Sequence, residues 1–232
     1  MRIIVNHVTR MKGKSRICVA GIDTATSQHV RPVTPSTDLI TRALLRENGG
    51  PFGPGALVDL GPVVARPNPP ETEDHRFATV RAKHIEDVGD DAYLEHLDHV
   101  SDADVQTAFG ADLVTIRRRK LAVPAGRGTR SLAVVPIVDD ELRIYFGKLY
   151  LMLGTPNATA QVRVTDIRFY DSDQETIKRD VVRDVNQRLA AGRKAYAMLG
   201  LARAIPDDEA GDVHWLMANG LCLADRAVSD VP

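Results

Sequence analysis

The stretch Arg16-Ile17-Cys18-Val19-Ala20-Gly21-Ile22-Asp23, followed by Thr24-Ala25-Thr26-Ser27 and then His29-Val30-Arg31-Pro32-Val33, decides the fold class of this chain. An apolar run of strand length, a polar turn and a second short run read as strand, turn, strand. Upstream, Ile3-Ile4-Val5 begins another strand, and Lys12-Gly13-Lys14-Ser15 supplies the turn of a hairpin. Pro32 has no N–H to give a ladder, so its strand is expected to be short or at an edge.

The same punctuation continues outward. Ser36 or Thr37 can cap a helix through Leu39, Ile40, Ala43 and Leu44, and the run from Gly49 to Gly55 stops it. Ala56 to Val64 reads as a strand, as does Phe77 to Val88. Acids at Asp90 and Asp91 open a helix, and Ser101-Asp102-Ala103-Asp104 opens a second. Strands resume with Leu113 to Ile116, Ser131 to Pro136, Leu142 to Phe146, Lys148 to Leu153 and Ala160 to Tyr170. Ile177, Val181, Val185 and Leu189 recur every fourth residue and predict an amphipathic helix. Ala195 to Leu201 and Val213 to Leu223 read as closing strands. The fold class is therefore mainly β with inserted helices, in two halves of 1–110 and 111–232 that fit a pair of small barrels packed as one unit.

At 232 residues, 44% apolar and 26% charged, the composition is that of an ordinary globular protein. No apolar run approaches the roughly 20 residues of a membrane span, and the start lacks the pattern of a secretory signal, so a cytoplasmic location and no membrane partner are expected. Cys18 and Cys222 each lie in an apolar stretch and read as small buried thiols. Net charge is −1, but it is segregated. Residues 1 to 16 carry Arg2, Arg10, Lys12, Lys14 and Arg16 without an acid, and 113 to 138 carry Arg117, Arg118, Arg119, Lys120, Arg127 and Arg130 without one. Residues 71 to 112 hold twelve acids against three Lys or Arg. Such segregation predicts an electropositive face, with the acidic segments available to a protein partner.

The run Asn6-His7-Val8-Thr9-Arg10-Met11, with Arg16 to Asp23 and His29 to Val33, is similar to the opening of the dual OB-containing domain family of prokaryotic proteins. Leu199-Gly200-Leu201-Ala202-Arg203 and His214-Trp215-Leu216-Met217-Ala218-Asn219-Gly220 resemble that family's terminal strands. The resemblance spans nearly the whole chain. It implies two tandem OB-type barrels, recognition of nucleic acid or a nucleotide, and a setting in prokaryotic defence or mobile elements. One departure is Ala202, where the resemblance would place a threonine hydroxyl.

OB barrels bind oligonucleotides across a strand face, combining cations for phosphates with planar groups for bases. The arginines expected to carry this are Arg10, Arg31 and Arg203, because a guanidinium forks onto phosphate and stacks on a base. Asn6 and Asn219 can read a base edge, and His7 and His214 can stack. Trp215, between Val213 and Leu216, reads as core. Arg117, Arg119, Arg127 and Arg130 form a second basic segment; were it a strand, alternate side chains would share a face. Only 5% of the residues are aromatic, which argues against an extended stacking platform.

Catalytic signatures are missing. No HExxH, paired CxxC, Walker loop or hydrolase motif occurs, and no metal or cofactor is implied. His96 and His99 lie three apart on an acidic helix that reads as solvated. Asp59, Asp166 and Asp171 would form a metal site only if the fold brought them together. The alternative to a non-catalytic nucleic-acid binder is a nucleotide or modified-base pocket built from His7, Arg31 and Asn219.

Overall fold

Apolar residues at every second position build two curled sheets, each wrapped around its own core. In the computed structural model the described residues are 1–11, 15–35, 40–117, 119–138, 140–155 and 158–225. The first sheet contains β1 (Arg2–Arg10), β2 (Arg16–Asp23), β3 (His29–Val33), β4 (Ile40–Thr41), β5 (Ala56–Asp59), β6 (Val63–Ala65), β7 (Asp74–Phe77) and β8 (Lys83–Asp87). Helices α1 (Asp90–Val100) and α2 (Val105–Phe109) follow. The second sheet contains β9 (Val114–Ile116), β10 (Lys120–Pro124), β11 (Leu132–Ile137), β12 (Glu141–Tyr145), β13 (Lys148–Thr155), β14 (Ala158–Val164), β15 (Ala195–Leu201), β16 (Ile205–Asp207) and β17 (Gly211–Leu223), with α3 (Arg179–Ala190) between β14 and β15.

Both sheets close by the same rule. In the first, β1, β2 and β3 form an antiparallel meander, β3 runs parallel to β7, β7 pairs with β6, and β5 returns to β1. Strands β5 and β6 are one path broken at Gly61, whose φ of 70° suits a residue without Cβ. In the second, β12, β13 and β14 form the meander, β14 runs parallel to β17, β17 pairs with β15, and β15 pairs with β11, which precedes β12 in the same path. A three-strand meander closed by a hairpin, with one parallel contact, is a five-stranded Greek-key barrel of the OB type. The molecule is mainly β, two such barrels in tandem.

Each barrel has a separate core. Ile3, Val5, Val8, Ile17, Val19, Val58 and Phe77 fill the first; Leu142, Leu149, Leu151, Val162, Val164, Leu199 and Leu216 fill the second. Helix α3 plugs the second barrel with Val182 and Val185, and α2 packs into that same core through Val105, Ala108 and Phe109. A third cluster, Ile22, Tyr93, Leu97, Val134, Tyr196, Met198 and Cys222, joins the barrels beneath α1. Here β1 lies close on β17: a Cβ at Gly220 would stand 2.8 Å from His7 Cβ. Cys18 and Cys222 are free thiols.

Three local expectations are corrected. No α-helix forms over Ile40 to Leu44; Ile40 pairs with Ile17 in β4 and 3-10 turns follow, because burying Ile40 in the barrel outweighs helical spacing, and Leu39 lies outside the described residues. The expected cap, Ser36 or Thr37, lies outside the described residues. Phe77 to Val88 is not one strand but β7, a 3-10 turn and β8, and the strand from Ala160 ends at Val164 before a turn capped by Asp166. Pro32 lies in a short strand, yet one flanked on both sides by β2 and β7. No helix among the described residues is long and apolar enough to cross a membrane.

Candidate nucleic-acid interface

The outer face of the second barrel follows from strand alternation. Leu142 and Ile144 on β12, Leu149 and Leu151 on β13, and Val162 and Val164 on β14 turn inward to the core. Their neighbours must therefore point outward. Register then sets three of them in a row, Arg143 opposite Tyr150 and Tyr150 opposite Arg163. With strands about 4.8 Å apart, this row spans roughly 10 Å, arginine on each side of a tyrosine. Tyr145 lies diagonally beside Tyr150 with ring centroids 6.2 Å apart, and its hydroxyl accepts a 3.1 Å hydrogen bond from Arg143 Nη1. Glu141 pairs with Arg143. Among the described residues Lys148 and Arg163 make no ion pair.

Along the strands, past the Tyr145–Lys148 pair, stands the β12–β13 turn. Phe146 is fully exposed and holds φ 48°, followed by Gly147 at φ 69°. Two positive φ values in a two-residue hairpin loop are the type I′ geometry, which asparagine and glycine favour and phenylalanine does not. Next to β14, Arg10 of β1 lies over the Tyr170 ring, 4.2 Å from its centroid. Burial pushes the Tyr170 phenol up from its ordinary pKa, and the charges of Arg10 and Arg163 oppose the shift. The Tyr170 hydroxyl donates to the Val164 carbonyl at 2.7 Å and is thereby fixed.

The flank is basic. Gln161 of β14 donates its N–H to the Arg119 carbonyl at 2.7 Å, placing the β9–β10 turn beside the face. Arg117 sits in that turn at φ 49°, not in a strand, and its guanidinium is 2.9 Å from Asp207. The expected alternation of arginines along a strand therefore does not apply; Arg118 lies outside the described residues. Arg119 and Arg127 are exposed, whereas Arg130 pairs with Asp102. Trp215 is only half-buried, Lys120 Nζ lying 5.4 Å from its ring centroid, so it is no core residue. Its strand, β17, needs Leu216 inside, and Trp215 is turned out.

The remaining residues singled out by sequence meet between the barrels. Arg31 Nε bonds Asp74 at 2.5 Å, and Arg203 Nη2 bonds the other oxygen of the same carboxylate at 2.6 Å. Arg203 also reaches Glu71 at 3.3 Å, and His214 Nδ1 lies 3.4 Å from Glu71 and 2.9 Å from the Ala202 carbonyl. Glu73 accepts from the Ser131 N–H and hydroxyl, each at 2.7 Å. So Arg31 and Arg203 are brought together, Arg10 is engaged elsewhere, and three acids of the acidic middle are buried, Glu71 and Asp74 against cations and Glu73 against the Ser131 hydroxyl and backbone N–H groups.

Both asparagines sit on β-bulges. Asn6 is the extra residue between Val5 and His7, which shifts the alternation so that Val8 enters the core and His7 turns toward the second barrel. Asn219 is the extra residue of β17 against Met198 and Leu199, and its Oδ1 accepts from Thr165 at 3.0 Å. Among the described residues neither the Asn6 side-chain amide nor either His7 ring nitrogen has a hydrogen-bond partner. Burial lowers the His7 pKa to about 3, helped by the charges of His29, Arg31 and Arg168; His29 falls to about 4, first by burial and then by Arg130 and His96. Asp166 pairs with Arg168 at 2.7 Å, and no metal-binding group of His, Cys, Asp or Glu occurs among the described residues.

The sequence missed Tyr145, Phe146, Lys148, Tyr150, Arg143 and Arg163. Alternation through β12 and β13, which puts Arg143, Tyr145, Lys148 and Tyr150 on the outward parity, was the signal that could have found four of them; Phe146 lies in the turn and Arg163 on β14.

No protein-family model matches the sequence, and no curated protein matches it. Among solved structures, the chain is similar to a tetrameric HIN2 crystal structure, at 9% identity and TM-score 0.34, covering 96% of this chain and 90% of that one. It is also similar to a murine DNA-binding protein bound with double-stranded DNA, at 6% identity and TM-score 0.37, covering 100% and 96%. Overlaps of this size leave the function to be argued from the site itself.

Proposed function

We propose that this protein binds single-stranded nucleic acid across the outer face of its second barrel. The observation that carries the reading is the in-register row Arg143, Tyr150 and Arg163. An aromatic ring offers a surface to an unpaired base whatever its identity, and the arginines beside it meet the phosphates on either side. Tyr145, Phe146 and Lys148 extend the face toward the hairpin tip, and Arg10 extends it across the barrel boundary. A duplex hides its base faces, so stacking of this kind favours a single strand. Arg119 and Arg127 on the flank add sequence-independent attraction. The reading is of a binding module, with Arg31 and Arg203 holding the barrels together rather than holding the ligand.

Fluorescence anisotropy with labelled single-stranded and duplex DNA and RNA tests this. Tyr150→Ala should weaken single-strand binding about tenfold, the loss of one stacked base. Arg163→Ala should flatten the plot of log affinity against log salt by about 0.7, the loss of one neutralised phosphate. Equal affinity of both variants and the unaltered chain for single strands would refute the proposal.

A further inference from the structure

A second concavity lies where the 3-10 turns of the first barrel face the segment before α3. It is a cleft of about 690 Å³, within the size range of small-ligand sites. Leu45 and Phe52 contribute apolar wall from the first barrel and Ile167 from the second. Arg42 spans the two, its Nη1 donating to the Ser172 carbonyl at 3.2 Å and its Nη2 to Glu47 at 3.3 Å. Arg46 and Lys178 bring two further cations to the wall, Arg46 lying 3.3 Å from Asp87.

Two polar atoms of this wall are buried without a hydrogen-bond partner among the described residues. One is a donor, Arg42 Nε; the other is an acceptor, Gln174 Oε1. Gln174 is 5% exposed and sits at φ 61°, while its amide nitrogen is engaged by the Asp171 carbonyl at 3.1 Å. A buried polar group without a partner is costly, so both are poised for a ligand that supplies their complements.

We infer that this cleft binds a mononucleotide unit, its phosphate held by Arg42, Arg46 and Lys178 and an exocyclic amine of its base donating to Gln174. The planar base matches the apolar wall of Leu45, Phe52 and Ile167, and a charged phosphate completes Arg42 Nε. Glu47 and Asp87 hold Arg42 and Arg46 in place until the anion arrives. The unit is either a free nucleotide or the phosphorylated terminus of a strand, which present the same chemistry. The inference does not depend on the outer face of the second barrel.

Calorimetric titration with AMP and with ribose 5-phosphate tests the free form; anisotropy with a 5′-phosphorylated and a 5′-hydroxyl oligonucleotide tests the strand end. AMP binding that falls about tenfold in Lys178→Ala and in Gln174→Leu, with ribose 5-phosphate at least as weak, supports a free nucleotide. Absent AMP binding, a roughly tenfold preference for the 5′-phosphate that disappears in Lys178→Ala and Arg46→Ala supports the strand end. Arg46→Ala and Lys178→Ala alter side chains that lie at the surface, so the test survives if Gln174→Leu does not fold. No AMP binding and no 5′-phosphate preference overturns the inference. Binding of the 5′-hydroxyl oligonucleotide in that same experiment shows whether the strand-binding face stands apart from it.

Discussion

Arg10 of the first barrel lies over Tyr170 of the second, 4.2 Å from the ring centroid. The contact orients a guanidinium that would otherwise sample many rotamers and holds it against the second barrel. Arg10→Ala should therefore weaken single-strand binding about fivefold and lower the salt dependence, while thermal stability drops by about 1 kcal/mol, the value of a cation–π contact. Arg10→Lys should retain the charge and the salt slope but lose part of the affinity, since a flexible ammonium is less well placed. Anisotropy at two salt concentrations beside a melting curve separates the two contributions.

Phe146 is predicted to trade stability for binding. A non-glycine residue in the left-handed region costs about 1 kcal/mol, and asparagine tolerates that region better. Phe146→Asn should raise unfolding stability by about 0.5–1 kcal/mol and weaken oligonucleotide binding several-fold. A variant that is more stable and binds as well as before would place the ring outside the interface.

His7 and His29 make the fold sensitive to acid. Both are held neutral in the fold, at pKa values of about 3 and 4, against 6.5 for an ordinary histidine. Between those values the unfolded chain binds more protons, so stability is full above pH 6.5 and declines as pH falls toward 4. Near pH 5 the loss should reach roughly 2 kcal/mol for each histidine. Denaturant midpoints measured from pH 8 to pH 5 should slope less steeply in His7→Gln; an unchanged slope would mean that His7 takes up its proton without unfolding.

Asp74 serves two guanidiniums at once. Asp74→Asn strands Arg31, whose side chain is 7% exposed, and should destabilise the protein by about 3 kcal/mol. Arg203→Ala should be milder, about 1 kcal/mol, because Arg203 is 44% exposed and water screens its pair. Chemical denaturation of the two variants decides the order.

Much of this architecture was readable in advance. The hairpin of β1 and β2, the short strand at Pro32, α3 and the closing β15 and β17 all announce themselves by alternation, spacing and punctuation. What sequence could not foresee is what long-range pairing imposes. Ile40 pairs with Ile17, more than twenty residues upstream, and takes a strand where local spacing spoke for a helix. The bulges at Asn6 and Asn219 appear only once partner strands are known, and they decide which way His7 and Val8 face. For the candidate site, the arginines could be listed from sequence but not where the fold would put them. Arg31 and Arg203 look like phosphate ligands until Asp74 is found between them, and the low aromatic content concealed that Tyr145 and Tyr150 gather on one face.

The buried contacts of Glu73 with Ser131, and of Asp74 and Glu71 with Arg203, bear on how the molecule comes apart. Each barrel closes its own strands, yet each presents to the other a surface of charges that water would otherwise have to cover. A backbone cut in the connection after α1 would thus yield two pieces with complementary keys, acids on one and their donors on the other. Such halves are built to find each other again, and a split form of this protein should reassemble only when both halves are present together.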